Sequence, residues 1–273
     1  MPSTTPGPAP APVRTARLGA YALDDLVRAR AGRRVAVCLP ARDEATTVGP
    51  IVAGVVDALT LAGGGADLVD EVVVVDDGSV DDTAAVARRA GARVVRAAVG
   101  AGKGQAMALA LQETDAELLV FLDADVENFE AHFVTGLLGP LLVALPDGGP
   151  DVLLVKGFYE RPLHGEPTGG GRVTELVARP LIDLLFPHLA GVRQPLAGET
   201  AAPRTVLDKT GFAPGYGVEL GLLVDVAEHF GVEHIAQVDL GVRVHRNRPL
   251  LALRPQATDV VRAALERAGV PRG

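Results

Sequence analysis

The sequence predicts an α/β fold in which a mostly parallel sheet carries helices on both faces. Two observations lead there. From Arg34 onward, short β-branched runs alternate with Ala-rich helical segments. Four of those runs, RVAVCLP, EVVVVDDG, ARVVRA and ELLVFLDAD, are nearly unbroken in apolar residues, as strands buried on both faces are. In such a Rossmann-like, doubly wound sheet ligands collect at the carboxyl ends of the strands, so the residues just after each strand carry the function.

The elements follow in order. Residues 1–17 are rich in Pro and Ala and poor in large apolar groups; they cannot offset the entropy of ordering and read as a disordered tail. Helices are expected over 47–61, 81–90 and 104–113, the second opening on Asp81 and Asp82, which suit a helix start. DVLLVKGFYE reads as a further strand. A Gly-rich stretch, GEPTGGGR, leads into a helix over 173–186, followed by QPLAGE, a helix over 217–230, a strand IAQVDLGVRVHRN and a last helix from Thr258. The apolar face of that last helix, from Val260 to Ala268, suits packing on the core or on a second subunit equally. The expected organisation is a ligand-binding α/β part over 18–165 and a smaller C-terminal part over 166–273 of the same unit.

Composition narrows the function. The chain has 273 residues and a formal net charge of −8, which disfavours nucleic acid or an anionic membrane surface as a partner. Any anionic ligand must be held by local cations. The one cysteine, Cys38, excludes an intrachain disulfide and points to the cytosol; among apolar neighbours it reads as a small buried side chain. No secretory signal is visible, and the longest uncharged stretch, 131–146, is too short and too rich in Gly and Pro for a membrane helix.

Several motifs can carry chemistry. Asp123-Ala124-Asp125 ends the strand LLVFLD, so both side chains point to one side of the strand, roughly 7 Å apart at the backbone. Such hard oxygens suit Mg²⁺ or Mn²⁺ shared with a diphosphate; capping of the next helix is the competing reading. A carboxylate and a phosphate charge 4 Å apart repel by about 4 kcal/mol at an effective dielectric of 20. A nucleotide diphosphate there therefore requires a cation. Asp76-Asp77-Gly78-Ser79 follows EVVVV; Asp77 is placed to accept from a base or ribose, while Ser79 and Asp81 equally suit a capped turn. Lys103, between glycines at a helix start, suits a phosphate or sugar contact or a solvated loop. Gly171-Arg172-Val173-Thr174 at a helix start suits a small anion, against a merely flexible loop. His245 is a metal-ligand type beside Arg246, Asn247 and Arg248, although alone it reads as a surface histidine. Glu219 suits either sugar hydroxyls or a helix start.

Taken together, LPARDEATTVG, GKGQAMAL, GGGRVTELVARPL, QPLAGE, FAPGYGVELGLLVD and IAQVDLGVRVHRNRPL resemble the glucosyl-3-phosphoglycerate synthase family, retaining glycosyltransferases of the GT-A-type, nucleotide-diphospho-sugar fold. The resemblance implies transfer of glucose from UDP-glucose to the 2-hydroxyl of 3-phosphoglycerate with Mg²⁺ or Mn²⁺, in a cytoplasmic homodimer. It implies donor contacts from Pro40, Ala41, Arg42, Asp43, Glu44, Asp77, Lys103, Asp123, Ala124, Tyr216, Gly217, Val218, Glu219, Arg243 and Arg248. Gly171, Arg172, Val173, Thr174 and Asn247 would hold the acceptor, and Asp125 and His245 the metal. Asp123, Glu219 and Lys103 would form the catalytic centre. GDP-mannose as donor, a polyprenyl phosphate as acceptor, and a nucleotide-sugar-binding regulator without turnover stand as alternatives.

Overall fold

The computed structural model describes residues 13–145, 147–163, 166–169, 171–244 and 249–270. Its order begins β1 (Arg14–Ala16), α1 (Leu23–Arg30), β2 (Val35–Ala41), α2 (Val48–Leu59), β3 (Glu71–Asp76), α3 (Thr83–Arg89), β4 (Arg93–Arg96), α4 (Lys103–Glu113), β5 (Leu118–Phe121) and α5 (His132–Leu142). It continues with β6 (Leu154–Glu160), β7 (Pro162–Leu163), β8 (Glu166–Gly169), α6 (Arg179–Leu185), β9 (Thr200–Pro203), α7 (Arg204–Thr210), α8 (Val218–Phe230), β10 (Ile235–Val242) and α9 (Arg254–Arg267).

Eight strands form one sheet in the order β1-β10-β6-β9-β5-β2-β3-β4, and β7 and β8 make a separate two-stranded ladder. All neighbours in the large sheet are parallel except β9, which runs against both β5 and β6. The predicted fold class holds, with one strand reversed. Strand β2 shows why its sequence is apolar throughout. Val35, Val37 and Leu39 enter the core under α1, α2 and α5, whereas Ala36 and Cys38 enter the opposite core under α4 and α8. Period-two alternation between two dry layers leaves no polar position. Cys38 is buried, as expected, and burial pushes its thiol up to about 12.

Three expectations are corrected. Arg14–Ala16, counted with the tail, pair with β10 as an edge strand, because the row Ala236–Val238 offers unpaired backbone groups there. The stretch 131–146, read only as uncharged, contains α5, whose Phe133, Val134, Leu137 and Leu138 are buried against the sheet. The last helix begins at Arg254, with Pro255 in its first turn, where proline's missing N–H has no cost. Strands β9 and β10, from the C-terminal part, lie within the same sheet as β2 to β6. Among the described residues no helix is long and apolar enough to cross a membrane.

The start of α4 packs unusually close to the chain before α8. A Cβ on Gly104 would lie 1.9 Å from the Ala213 carbonyl oxygen, a backbone atom that cannot turn aside. Gly104→Ala is therefore expected to cost about 1–3 kcal/mol, the range for overpacking a tight contact. Urea unfolding should show a lower midpoint at an unchanged slope.

Candidate functional site

The carboxyl ends of the parallel strands open onto one cavity of about 270 Å³. Pro40, Ala41, Arg42 and Glu44 enter it from the end of β2, Asp77 from β3, and Asp123, Ala124 and Asp125 from β5. Lys103 comes from the first residue of α4, Tyr216 and Glu219 from the start of α8, and Arg243 from just beyond β10. Gly171, Arg172, Val173 and Thr174 form another wall. Arg172 and Val173 start a helix that widens to a π-turn over Thr174–Ala178, where Arg179 N–H reaches back to the Thr174 carbonyl. Wide turns of this kind concentrate at functional sites.

At the centre lies a buried ion network. Lys103 Nζ is 2.5 Å from Asp123 Oδ1 and 2.5 Å from Glu219 Oε1. Arg243 forks onto Asp123 Oδ2 at 2.9 Å and Asp125 Oδ1 at 2.5 Å, and its Nη1 is 3.1 Å from Glu199 Oε1. Burial alone would pull the Lys103 ammonium down, but the carboxylates of Asp123 and Glu219 override it and hold the group above the ordinary lysine range. Burial would likewise raise Asp123; Lys103 and Arg243 instead hold it far below the usual carboxylate range. Glu199, fully buried, is raised by burial against the pull of Arg243. Both Asp123 and Lys103 are thus fixed in their charged forms.

Local chain geometry explains how these groups meet. Strand β9 runs antiparallel with Thr200 opposite Phe121, so Glu199, just before it, lies level with the end of β5. The turn ahead of it depends on glycine: a Cβ on Gly198 would sit 2.1 Å from Asp123 Oδ1. On the β3 side, Asp76 Oδ1 accepts from Ser79 N–H at 3.0 Å, and Asp81 accepts from Thr83 N–H at 3.0 Å, so these residues form the capped turn. Asp77 differs. Its Oδ2 accepts from Gly102 N–H at 3.0 Å, while its buried Oδ1 has no hydrogen-bond partner among the described residues.

Three residues placed at the donor side by the sequence do not line the cavity. Asp43, at φ 57°, donates its N–H to Ser79 Oγ at 3.0 Å and accepts from Val80 N–H at 2.8 Å, tying two loops together. Val218 is fully buried in the core, and Gly217 is buried against Asp259 and Ala263 of α9. The first turn of α8 presents only one face to the cavity, which Glu219 takes. His245, Asn247 and Arg248 lie outside the described residues. Tyr159 and Glu199, in the network, and Arg161 and Leu196, in the lining, were not singled out from the sequence.

A divalent cation fits this donor set. Asp125 offers a partly exposed carboxylate on the cavity wall, and Mg²⁺ or Mn²⁺ is held by one or two carboxylates when phosphate oxygens complete its shell. Among the described residues no cluster of three or more His, Cys, Asp or Glu could hold a metal by itself. Any cation there depends on ligand oxygens or on residues outside those described.

A family model described as Glycosyl transferase family 2 matches residues 36–148. The glucosyl-3-phosphoglycerate synthase of Mycolicibacterium paratuberculosis is 45% identical over 92% of this chain and 77% of its own length. That of Mycolicibacterium smegmatis is 46% identical over 92% of this chain and 82% of its own. Crystal structures of the Mycobacterium tuberculosis enzyme superpose closely. The complex with Mg²⁺ and UDP gives a TM-score of 0.85 at 42% identity, covering 96% of this chain and 88% of that one. The complex with Mn²⁺, UDP-glucose and phosphoglyceric acid gives 0.83 at 44%, covering 96% and 89%. With the network at the strand ends and this similarity along nearly its whole length, the chain belongs to the glucosyl-3-phosphoglycerate synthase family of GT-A-type glycosyltransferases.

Proposed function

We infer that this protein transfers glucose from UDP-glucose to the 2-hydroxyl of 3-phosphoglycerate, with retention at the anomeric carbon and a divalent metal. One observation carries the reading: the Asp123–Asp125 strand end and the Gly171–Thr174 helix start line the same cavity. A donor diphosphate and a small anionic acceptor can therefore meet there. The mycobacterial enzyme that binds UDP-glucose, Mn²⁺ and phosphoglyceric acid has the same fold at 44% identity.

In this reading the buried free oxygen of Asp77 accepts from the uracil or ribose. Pro40, Ala41, Arg42 and Glu44 enclose the nucleoside. Asp123 and Glu219 orient the sugar hydroxyls, and Lys103, held cationic between them, stabilises charge near the diphosphate. Asp125, with His245, holds the metal, which when bound offsets the charge of the departing diphosphate. The amides at the helix start and the Arg172 fork bind the acceptor anion, with Asn247 assisting. Tyr216, which lines the cavity with Glu219, contributes to the sugar pocket. Arg243 acts by fixing Asp123 and Asp125 in place, and Arg248 contributes positive potential to the donor.

We also place the protein in the cytoplasm as a homodimer. The buried, unpaired Cys38 supports a reducing compartment. Leu176 and Leu184 are 71% and 80% exposed on one segment, and Leu251 is 86% exposed nearby in sequence to α9. Apolar groups of this size on the surface support contact with a second copy.

Release of UDP should require UDP-glucose, 3-phosphoglycerate and Mg²⁺ or Mn²⁺ together. Excess EDTA should abolish it and added Mn²⁺ restore it; full turnover in EDTA would refute the metal assignment. Arg172→Ala should raise the KM for 3-phosphoglycerate by roughly tenfold or more, as expected for a lost charge-assisted hydrogen bond, and leave that for UDP-glucose within about twofold. Equal losses for both substrates would contradict the acceptor assignment.

A further inference from the structure

Arg161 follows β6 directly and lines the cavity beside the acceptor helix start, where a Cβ on Gly171 would lie 3.4 Å from its Nη1. No carboxylate pairs with it among the described residues, and its buried Nε has no hydrogen-bond partner. Its position is nevertheless fixed. The guanidinium lies 4.8 Å from the Tyr159 ring centroid, and its Nη2 donates to the Tyr159 hydroxyl at 2.6 Å. Arg243 Nη1 donates to the same hydroxyl at 2.5 Å. One phenol oxygen thus joins the two arginines.

The charges differ between those two arginines. Arg243 is surrounded by Asp123, Asp125 and Glu199 and has no charge to spare. Arg161 is held against Tyr159, faces the cavity and has no carboxylate partner among the described residues. An acceptor such as 3-phosphoglycerate brings a phosphate of about −2 charge and a carboxylate. One arginine and a helix start do not balance both groups.

We propose that Arg161 is a second acceptor-binding residue, engaging an oxyanion of the acceptor, and that Tyr159 is the positioning residue that aligns it with the Arg243 network on the donor side. The assignment rests on the acceptor reading given above. It extends that reading by making the shared hydroxyl a physical link between the acceptor and donor halves of the cavity.

The test uses the full chain with Mn²⁺, measuring initial rates over a grid of 3-phosphoglycerate and UDP-glucose concentrations. Arg161→Met keeps the apolar stem and removes the charge. It should raise the KM for 3-phosphoglycerate about tenfold or more while changing that for UDP-glucose by less than about twofold. Arg161→Lys should recover part of the loss, since a lysine restores the charge without the fork. Tyr159→Phe should raise the acceptor KM by less, and Arg161→Met combined with Tyr159→Phe should be no worse for the acceptor than Arg161→Met alone. A purely structural role for Tyr159 gives additive losses instead. With glycerate in place of 3-phosphoglycerate, a variant penalty that disappears assigns the phosphate to Arg161, and one that persists assigns the carboxylate.

An unchanged acceptor KM in Arg161→Met, or equal rises for both substrates, would overturn the proposal. Wild-type turnover with 3-phosphoglycerate tests the activity itself, so failure of that reading is distinguishable from failure of the Arg161 assignment. Calorimetric titration of 3-phosphoglycerate into wild type and Arg161→Lys gives the same comparison if Arg161→Met does not fold.

Discussion

The site depends on neutralising buried carboxylates at the end of β5. Asp123, Asp125, Glu199 and Glu219 converge on Lys103 and Arg243. Two bare carboxylates 4 Å apart repel by about 4 kcal/mol at an effective dielectric of 20, and removing one partner from a buried pair typically costs about 3–5 kcal/mol. The cations are therefore structural before they are functional. Beneath them, Lys156 Nζ donates to the Ala197 carbonyl at 2.5 Å and to Thr200 Oγ1 at 3.0 Å. That pair of bonds fastens the turn that places Gly198 against Asp123. Burial brings the Lys156 ammonium down to about 8, the cost of a cation with no hydrogen-bonded carboxylate partner.

This arrangement determines what the cavity can do. Both Asp123 oxygens are taken by cations, whereas Asp77 keeps a buried oxygen free. An unsatisfied buried acceptor is costly unless a ligand donor arrives, so Asp77 is suited to a nucleobase or ribose rather than to framework duty. Asp43 and Asp76 perform the framework duty. Their hydrogen bonds to Ser79 and Val80 close the loop that presents Asp77. Three aspartates of the loops after β2 and β3 thus differ by which lone pairs are already used: Asp43 and Asp76 close the loop, and Asp77 alone keeps a buried oxygen without a partner among the described residues.

The fold was legible because parallel strands buried on both faces leave a one-dimensional signature, seen in β2, β3 and β5. Elements without it were not. Strand β9 is only Thr200–Pro203 and contains two alanines and a proline, so its place in the sheet comes from pairing with β5 and β6 rather than from any local preference. In the cavity, the rule of inspecting residues after each strand leads to Asp77 and Asp123, which both line it. Applied equally to DVLLVKGFYE it leads to Arg161, the next residue. Glu199 was hidden for a different reason. It precedes an antiparallel strand, whose amino end, not its carboxyl end, reaches the crevice. Asp43 and Val218 each lie inside a motif matching the family, yet a left-handed backbone at Asp43 and the helical face at Val218 place them in the loop and the core rather than in the cavity lining.

The reversed strand also resolves how an acidic protein can hold an anionic acceptor. A formal net charge of −8 repels such a molecule at long range, yet at physiological salt the Debye length is about 8 Å, so distant surface carboxylates are largely screened. Binding is decided by charges within a few ångströms. By delivering Glu199 to Arg243 from the opposite direction, β9 helps to balance that arginine's charge within the protein. Arg243 is then a support for Tyr159 and Asp125 rather than a competitor for ligand, and the unbalanced positive charge falls to Arg161 on the acceptor side. A single strand reversal thereby separates two chemically identical guanidiniums into a framework group and a ligand group, one hydroxyl apart.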